Sequence, residues 1–279
     1  MIFGIIGNGF VGQATKILNN SQTQMLVYDI DPKKCEPEGL TVSDLKDCDI
    51  IFISVPTPMD AEGRNHLGIV KSVVELLREH EVNSHIVIRS TVLPGTCDEL
   101  DCYFMPEFLT EKNWPQDFYE CENWIFGLKK GDNGDFEEKI RHLYQLAYED
   151  GKIKHNVLHF VSNSEAEMIK YFRNTYLSVK VSYCNEIYDY CQHKGINYEN
   201  VRRLATLDKR IMPSHTQVPG HDGRRGFGGT CFPKDTNALL RDFEDEGLES
   251  FILKCVVYRN EKKDRPEQDW KEDKGRASL

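Results

Sequence analysis

Short apolar runs alternate with amphipathic helical patterns along the first 162 positions of the chain. Seven runs have the length of strands, and they lie at 1–6, 25–29, 49–56, 85–91, 101–108, 123–128 and 156–161. Between them, apolar residues recur every three or four positions over 66–80 and 135–149, as on one face of a helix. Strands that alternate with helices form mostly parallel sheets with helices on both faces. The pattern therefore predicts an α/β domain over residues 1–162.

The pattern changes after residue 162. Apolar residues then recur every three or four positions through one stretch, 164–194, which ends at Gly195 and predicts a single long helix. Ser164 and Glu167 have the spacing of a capping box at the start of this helix. We therefore expect a second, all-helical domain over residues 163–262, built on the long helix.

Two surface features of the second region follow from its composition. An apolar stripe along the long helix predicts pairing with a twin helix, and hence a homodimer; it comprises Tyr176, Val179, Tyr183 and Ile187. Residues 263–279 are strongly charged and contain few apolar side chains, so we expect a disordered tail there.

The overall charge and the cysteines narrow the class of protein. The formal net charge is −10 and the isoelectric point is near 5.4, which argues against nucleic acid or an anionic membrane as partner. The nine cysteines are scattered without CxxC pairs, so we expect reduced thiols in the cytoplasm and no metal site. The apolar start breaks into glycines, and no segment reaches the ~18 apolar residues of a membrane helix. We therefore expect neither a signal peptide nor a membrane span.

A glycine-rich motif directly follows the first apolar run. Gly7, Gly9 and Gly12 form GxGxxG between a predicted strand and a predicted helix, the context of a Rossmann-type dinucleotide site. There, the first glycine permits a tight turn, the second lets a pyrophosphate approach the backbone, and the third allows close helix packing. The loop residues expected to contact the cofactor are Gly7, Gly9, Phe10, Val11 and Gly12.

An acidic residue indicates which dinucleotide is bound. Asp29 ends the second predicted strand, 17 positions after Gly12, close to the offset of ~20 residues in such sites. Its carboxylate would accept hydrogen bonds from the adenosine ribose and repel a 2′-phosphate, which favours NAD over NADP. Lys33 and Lys34 weaken that preference slightly, and Lys34 is a further candidate for contact with the cofactor.

A lysine and an asparagine form a pair on the predicted long helix. Lys170 and Asn174 are four positions apart and therefore neighbours on one face. Such a pair is either a solvated surface feature or a device that holds and polarises a substrate oxygen as it becomes negative. The helix alone does not decide between the two interpretations.

One cysteine has an unusual setting. Cys231 stands in GFGGTCFPKD, at 226–235, after three glycines and before Lys234 and Asp235. A nearby cation or a helix N-terminus lowers the pKa of a thiol and favours the nucleophilic thiolate. Lys234 and the helix predicted after Cys231 can each have this effect. We therefore interpret Cys231 as a nucleophile rather than a structural thiol, and the glycines as a loop that folds over a substrate.

Six motifs occur in a fixed order along the chain. They are GxGxxG at 7–12, SVPTP at 54–58, STV at 90–92, PEFLTE at 106–111, KYFRN at 170–174 and GFGGTCFPKD at 226–235. This ordered set resembles the UDP-glucose 6-dehydrogenase and GDP-mannose dehydrogenase family from residue 1 to about residue 260. The resemblance implies an NAD-dependent, four-electron oxidation of a sugar CH2OH to a carboxylate, with UDP-glucose as the expected substrate and UDP-glucuronate as the product.

The resemblance also implies catalytic roles. Cys231 would capture the aldehyde as a thiohemiacetal, which a second hydride transfer converts to a thioester that water hydrolyses. Lys170 and Asn174 would steady the C6 oxygen. The residues that would position water and relay protons are Asp235, Thr91 and Glu107.

Binding residues follow from the same resemblance. The residues expected on the nicotinamide or pyrophosphate side are Thr57, Thr91, Glu111 and Lys234. Those expected to line the sugar are Glu107, Phe108, Leu109, Glu111, Lys170, Asn174 and Gly228. Arg210 resembles an arginine that reaches the substrate of the partner subunit in family dimers.

One departure from the family is large. Family members continue through a long central helix into a second Rossmann-like domain that binds the uridine diphosphate, whereas this sequence ends at Leu279. SFILKCVVYRN, at 250–260, resembles the start of that helix. Because binding of remote substrate groups positions the reacting carbon, the missing half is expected to weaken turnover as well as affinity. A naturally short form, a shortened piece and a separate polypeptide that provides the second half remain open.

Two other functions are compatible with parts of the sequence. A β-hydroxyacid dehydrogenase also joins a GxGxxG domain to a helix with a Lys-x-x-x-Asn pair, but it needs no cysteine nucleophile. A non-catalytic, NAD-binding fragment is the second alternative, because the nucleotide-sugar domain of the family is missing.

Overall fold

The computed structural model describes Met1–Leu279, which divide into two compact units. Unit 1 comprises Met1–Thr57 and Leu67–Lys170, and unit 2 comprises Pro58–His66 and Tyr171–Leu279. The boundary expected at residue 162 therefore differs from this division in two respects. The first two turns of the long helix belong to unit 1, and a loop of the first predicted domain belongs to unit 2.

Seven strands form one sheet in unit 1. They are β1 (Ile2–Ile6), β2 (Gln24–Tyr28), β3 (Ile50–Ile53), β4 (His85–Ile88), β5 (Tyr103–Phe104), β6 (Asn123–Leu128) and β7 (Val157–Ser162). Their spatial order is β2-β1-β3-β4-β5-β6-β7, and all neighbours are parallel except β5 and β6. The prediction of a mostly parallel sheet is confirmed.

Helices cover this sheet. They are α1 (Phe10–Thr15), α2 (Gly68–Glu79), α3 (Thr96–Glu99), α4 (Trp114–Tyr119) and α5 (Asp135–Glu149), with 3₁₀ turns at Lys16–Leu18, Pro32–Lys34 and Val42–Asp47. Side chains of the fully buried β3 alternate between two apolar clusters, as strand geometry requires. Ile51 and Ile53 pack with side chains of α2. Ile50 and Phe52 pack with side chains of α5, which gives a core on each side of the sheet.

The second region is helical, as predicted. The long helix α6 (Asn163–Lys194) is followed by α7 (Tyr198–Ala205), α8 (Phe232–Asp245), α9 (Phe251–Arg259), a π-helical turn (Asn260–Asp264) and a 3₁₀ turn (Asp269–Glu272). No helix, α6 included, has the length and apolar character needed to cross a membrane.

The predicted capping box of α6 is wrong by two residues. The backbone N–H and the hydroxyl of Ser162 both donate to the carboxylate of Glu165, at 2.8 and 2.6 Å. Glu167 instead accepts hydrogen bonds from the backbone N–H groups of Gly95 and Cys97, at 2.6 and 2.8 Å. Two serine–glutamate pairs have the required spacing, and these partners from a distant loop decide which pair caps the helix.

Residues 263–279 are packed, which differs from the disordered tail expected from composition. Trp270 is 2% exposed and forms a small cluster with Met59 and Ala277. Arg265 is 3% exposed, and its guanidinium donates to Asp222 and Asp269 at 2.6 Å each. Charged residues of this segment therefore pair with one another and with earlier residues. For this reason the charge of the segment does not prevent it from packing against the rest of unit 2.

Candidate active site

The predicted site residues of unit 1 gather at one edge of the sheet. Gly7 follows β1, Asp29 follows β2, Thr57 lies beyond β3, Thr91 beyond β4 and Glu107 beyond β5. The chain order of the strands reverses at β1 and β3. In open α/β sheets, ligands bind outside the carboxyl ends of the strands at such a reversal.

The three glycines of GxGxxG differ in why the structure accepts or requires glycine at each position. Gly7 has a φ of +92°, and an added Cβ would lie 2.7 Å from the carbonyl oxygen of Ser54. At Gly12, an added Cβ would lie 1.9 Å from the carbonyl oxygen of Gly7. At exposed Gly9, it would meet nothing within 4 Å. Packing therefore explains Gly7 and Gly12, whereas no protein atom requires glycine at position 9.

Asp29 holds the glycine loop against the sheet. Its carboxylate accepts hydrogen bonds from the backbone N–H groups of Asn8 and Asp31, at 2.7 and 2.9 Å. The amide of Asn8 donates to the carbonyl oxygen of Lys34 at 2.8 Å, while its own Oδ1 is buried without a hydrogen-bond partner. An open glycine backbone beside a buried, unpartnered acceptor fits a dinucleotide with its hydroxyl and phosphate groups. Phe10 and Val11 open α1 and are partly exposed beside this loop.

Lys170 forms a buried ion pair with Glu107. Its ammonium donates to Oε1 of Glu107 at 2.6 Å and to the carbonyl oxygen at 2.7 Å, and the two residues are 3% and 6% exposed. Burial alone would raise the pKa of Glu107. The Lys170 ammonium and the backbone N–H of Leu109, 2.9 Å from Oε2, outweigh burial and hold this pKa below its ordinary value. The pair therefore places a carboxylate and an ammonium side by side, and the Phe108 ring lies 5.7 Å from the ammonium.

Asn174 binds a second carboxylate. Its amide donates to Oδ2 of Asp235 at 2.6 Å, and Lys234 donates to Oδ1 at 2.5 Å. Asp235 is 1% exposed and Asn174 is 7% exposed. Because Lys170 and Asn174 are both buried and bound to carboxylates, the solvated-pair interpretation of the two residues is wrong.

Cys231 is the N-cap residue of α8. Its side chain is partly exposed, and Sγ lies 3.7 Å from the hydroxyl of Thr230. The positive end of a helix favours a thiolate at this position. Since the Lys234 ammonium is already bound to Asp235, the helix end is the clearer source of the stabilisation expected for the thiolate.

Two of the three glycines before Cys231, Gly226 and Gly228, are explained by packing within unit 2. Asn260 accepts from the backbone N–H of Phe227 and donates to its carbonyl oxygen, both at 2.9 Å. An added Cβ would lie 2.3 Å from Asn260 Oδ1 at Gly226, and 2.4 Å from Arg265 Cζ at Gly228. No sequence pattern indicates Asn260 or Arg265, because Phe227 and Asp222, which they bind, lie more than thirty positions earlier in the chain.

The remaining candidates differ in exposure. Thr57 and Thr91 are 4% and 6% exposed, Leu109 is partly exposed and Glu111 is exposed. The side chain of Arg210 is 88% exposed, and its guanidinium binds Asp208 of the same loop at 2.5 Å. Unit 1 thus holds the Glu107–Lys170 pair and the glycine loop, and unit 2 holds Cys231 with the Asn174–Asp235–Lys234 cluster. No group of His, Cys, Asp and Glu side chains is arranged to hold a metal ion.

Two family models match the chain. Residues 39–147 match the NAD binding domain of the UDP-glucose/GDP-mannose dehydrogenase family, and residues 164–262 match the central domain of that family. A UDP-glucose 6-dehydrogenase from Rickettsia felis is 33% identical over 237 residues, which are 80% of this chain and 50% of that protein. The chain spans about half the length of the curated relatives it matches.

Solved structures share the fold. A UDP-glucose dehydrogenase from Pyrobaculum islandicum has a TM-score of 0.79 at 24% identity, with 93% of this chain and 68% of that chain covered. A 3-hydroxyisobutyrate dehydrogenase from Mycobacterium tuberculosis has a TM-score of 0.63 at 12% identity, with 92% of this chain and 91% of that chain covered. At these identities the likeness concerns the fold alone.

Proposed function

Because the chain belongs to the UDP-glucose/GDP-mannose dehydrogenase family, we propose that it oxidises the C6 hydroxymethyl group of a nucleotide sugar to a carboxylate. UDP-glucose is the proposed substrate. The observation that carries the proposal is Cys231 at the N-terminus of α8, one turn before an Asp235 held by Asn174 and Lys234. A β-hydroxyacid dehydrogenase has no use for a thiol in this position.

The proposed chemistry assigns a role to each polar cluster. Gly7, Gly9 and Gly12 would hold two NAD molecules in succession, and each would supply the acceptor for one of the two hydrides that a four-electron oxidation releases. Cys231 adds to the aldehyde carbon as a thiolate, and its sulfur stays bonded to that carbon through the thiohemiacetal and thioester stages. Asp235 orients the water that hydrolyses the thioester, and Lys170 and Asn174 donate to the C6 oxygen as negative charge develops on it.

Proton transfer is proposed for the remaining members of the site. Glu107 is ionised, because its pKa lies below the ordinary value, and can accept a proton through water. Thr91 would relay protons, and Thr57 and Glu111 would contact the cofactor. Arg210, which is exposed, is proposed to reach the substrate of a partner subunit. These assignments rest on the motif resemblance together with the burial and hydrogen bonds described above.

The stoichiometry of the reaction tests this proposal. Purified chain incubated with NAD and a panel of UDP- and GDP-sugars should form about two NADH per sugar consumed, together with an acidic product. NADH absorbance and chromatography of the sugar nucleotide measure both. One NADH with release of an aldehyde would refute the thioester route.

The second candidate is an NAD-binding module without turnover. The observation that favours it is that the chain spans only half of its relatives' length. Saturable NAD binding, combined with no binding or turnover of any nucleotide sugar at millimolar concentration, would establish this alternative.

Substitution of Gly9 tests the cofactor site, because its effect on NAD binding is expected to be separate from its effect on folding stability. We expect Gly9→Ala to weaken NAD binding by about tenfold or more, because the added methyl group stands where the pyrophosphate approaches. Its effect on stability should stay below about 1 kcal/mol, since the methyl meets no protein atom within 4 Å. Gly12→Ala is the matched control. It should cost about 1–3 kcal/mol of stability, because its Cβ meets the Gly7 carbonyl.

Calorimetric titration with NAD and chemical denaturation of both variants provide the two measurements. Unchanged NAD affinity in Gly9→Ala would contradict the placement of the pyrophosphate at this loop.

We also propose a homodimer, formed through α6. Tyr176, Tyr183 and Tyr190 are spaced seven residues apart and are 57%, 63% and 58% exposed, a stripe that fits against a twin helix. Ile187, expected in this stripe, is partly buried and packs instead with Cys184 and Cys191 of its own chain. Light scattering should give twice the 32.3 kDa of one chain, and a monomer at micromolar concentration would contradict the proposal.

The state of the cysteines also indicates the cellular compartment of the protein. All nine cysteines are thiols in the structure, and the proposed reaction requires Cys231 to stay reduced. We therefore propose a reducing, cytoplasmic compartment, which cell fractionation would test.

A further inference from the structure

A buried guanidinium in unit 1 has no carboxylate within salt-bridge distance, although Glu107 interacts with it electrostatically and the Phe118 ring centroid lies 5.8 Å from its Cζ. Arg89 directly follows β4 and is 2% exposed, and its Nη1 donates to Thr15 Oγ1 and to the carbonyl oxygen of Val11 at 3.4 Å. It forms no salt bridge, and its Nε is buried without a hydrogen-bond acceptor. Buried charges are normally paired, so a cation left in this state indicates that an anionic acceptor is missing.

A cavity of about 40 Å³ adjoins this guanidinium. Its volume fits two or three water-sized atoms. The carboxylates on its wall are already engaged: Glu107 binds Lys170, and Asp117 accepts from the backbone N–H and the hydroxyl of Thr110 at 2.7 and 2.5 Å. Neither carboxylate therefore serves as the acceptor that Arg89 lacks.

The cavity wall contains one thiol. Cys121 follows α4, is partly exposed, and lies on the same wall as Arg89, with its Sγ–H donating to the carbonyl oxygen of Asn123 at 3.4 Å. A thiolate, or an oxygen added to its sulfur, would place negative charge in the cavity beside the unpartnered Nε–H. We propose that Cys121 is a peroxide-sensitive modification site whose thiolate and oxidised forms are stabilised by Arg89.

The modification balances with peroxide as the oxidant. The Cys121 thiolate attacks one oxygen of hydrogen peroxide, so an S–O bond forms and the O–O bond breaks. The departing hydroxide takes the proton of the sulfenic acid and leaves as water, so the sulfur carries a sulfenate oxygen. The sulfur loses two electrons and the peroxide gains them. The sulfenate oxygen then accepts the hydrogen bond that Nε of Arg89 lacks in the reduced protein.

Other thiols of unit 1 lack these features. Cys102 and Cys48 are buried, and burial raises the pKa of each to about 12; for Cys102 it outweighs the opposing effect of the Arg78 guanidinium. Neither thiol is a thiolate near neutral pH, so neither competes for peroxide. Cys255 on α9 is exposed and serves as the internal comparison in the same chain.

Site-resolved labelling of the full chain tests the proposal. Iodoacetamide labelling across a pH series, read by peptide mass spectrometry, should give Cys121 a midpoint about one pH unit or more below that of Cys255. Brief hydrogen peroxide treatment with dimedone trapping at pH 7 should modify Cys121 several-fold more than Cys255. A Cys121 midpoint equal to or above the Cys255 midpoint would overturn the proposal.

Two variants separate charge from structure. Arg89→Met should raise the Cys121 midpoint to that of Cys255 or above, whereas Arg89→Lys, which keeps the cation, should retain most of the difference. If circular dichroism shows that Arg89→Met does not fold, the labelling profiles of the wild type and of Arg89→Lys still test the proposal. A midpoint that is unchanged in a folded Arg89→Met would refute the role of Arg89. Protection of Cys121 by formate would assign the cavity to a small free anion and overturn the modification site.

Discussion

Replacing Cys231 with serine is expected to lower the rate of carboxylate formation by about 10³-fold or more. A hydroxyl group at the same N-cap position is almost fully protonated at neutral pH, so the helix end has no anion to stabilise. NAD affinity should stay within about twofold, because the exchange of sulfur for oxygen at position 231 leaves Gly7, Gly9 and Gly12 of the glycine loop unchanged. Single-turnover assays with UDP-glucose, followed by product chromatography, measure the loss.

Cys255→Ser is the matched control for this variant. Cys255 is exposed on α9 and has no role in the proposed chemistry, so its replacement should leave the rate unchanged. A Cys231→Ser protein that still forms carboxylate at the wild-type rate would remove the cysteine from the mechanism.

Replacing Lys170 with methionine is expected to cost about 3–5 kcal/mol of stability. The change leaves the Glu107 carboxylate, 6% exposed, without its ammonium partner. The Lys170→Met, Glu107→Gln double variant should recover most of this loss, because no unpaired charge remains buried. Activity should stay at least about 10²-fold below wild type in both variants, since the donor to the substrate oxygen is gone. Urea denaturation and the NADH assay separate the two effects.

The same pair predicts how stability depends on pH. The pKa of Glu107 is lowered from its ordinary value of 4.5, so its contribution is present above pH 4.5 and is lost as pH falls through the folded-state value. The double variant lacks this group and should lose less stability on acidification than wild type does. Identical acid sensitivity of the two proteins would contradict the lowered pKa.

The sheet and the long helix were accessible from the sequence because burial imposes its period directly on the chain. β3 is buried on both faces and therefore appears as an unbroken apolar run, and α6 follows a helical period through 32 residues. The glycine loop was equally predictable from the sequence. Gly7 and Gly12 are required by backbone contacts, and such contacts recur wherever a strand turns tightly into a helix.

The sequence was less informative where distant partners decide the outcome. Glu167 has the spacing of a capping residue, but the N–H groups of Gly95 and Cys97 bind its carboxylate instead. The segment 263–279 has the composition of a disordered tail, yet Arg265 is buried against Asp222 and Trp270 against Met59, which lie far earlier in the chain. Composition averages over a segment and does not record such pairings.

The glycines before Cys231 illustrate a third limit. The sequence predicts a loop that folds over a substrate, in which Gly228 lines the sugar, and a glycine pattern is compatible with that role. The structure gives Gly226 and Gly228 a packing reason, namely the side chains of Asn260 and Arg265. Whether Gly228 also contacts a sugar remains a prediction that a substrate complex would test.

Asn260 joins the cysteine loop and the turn after α9 into one packing unit. Its amide engages both backbone groups of Phe227, so the loop owes its shape to a residue 33 positions downstream. A chimera that transplants only residues 226–235 into another dehydrogenase would leave those two backbone groups without their native partner. Exchange of the catalytic segment between relatives therefore has to include residues 260–265 as well.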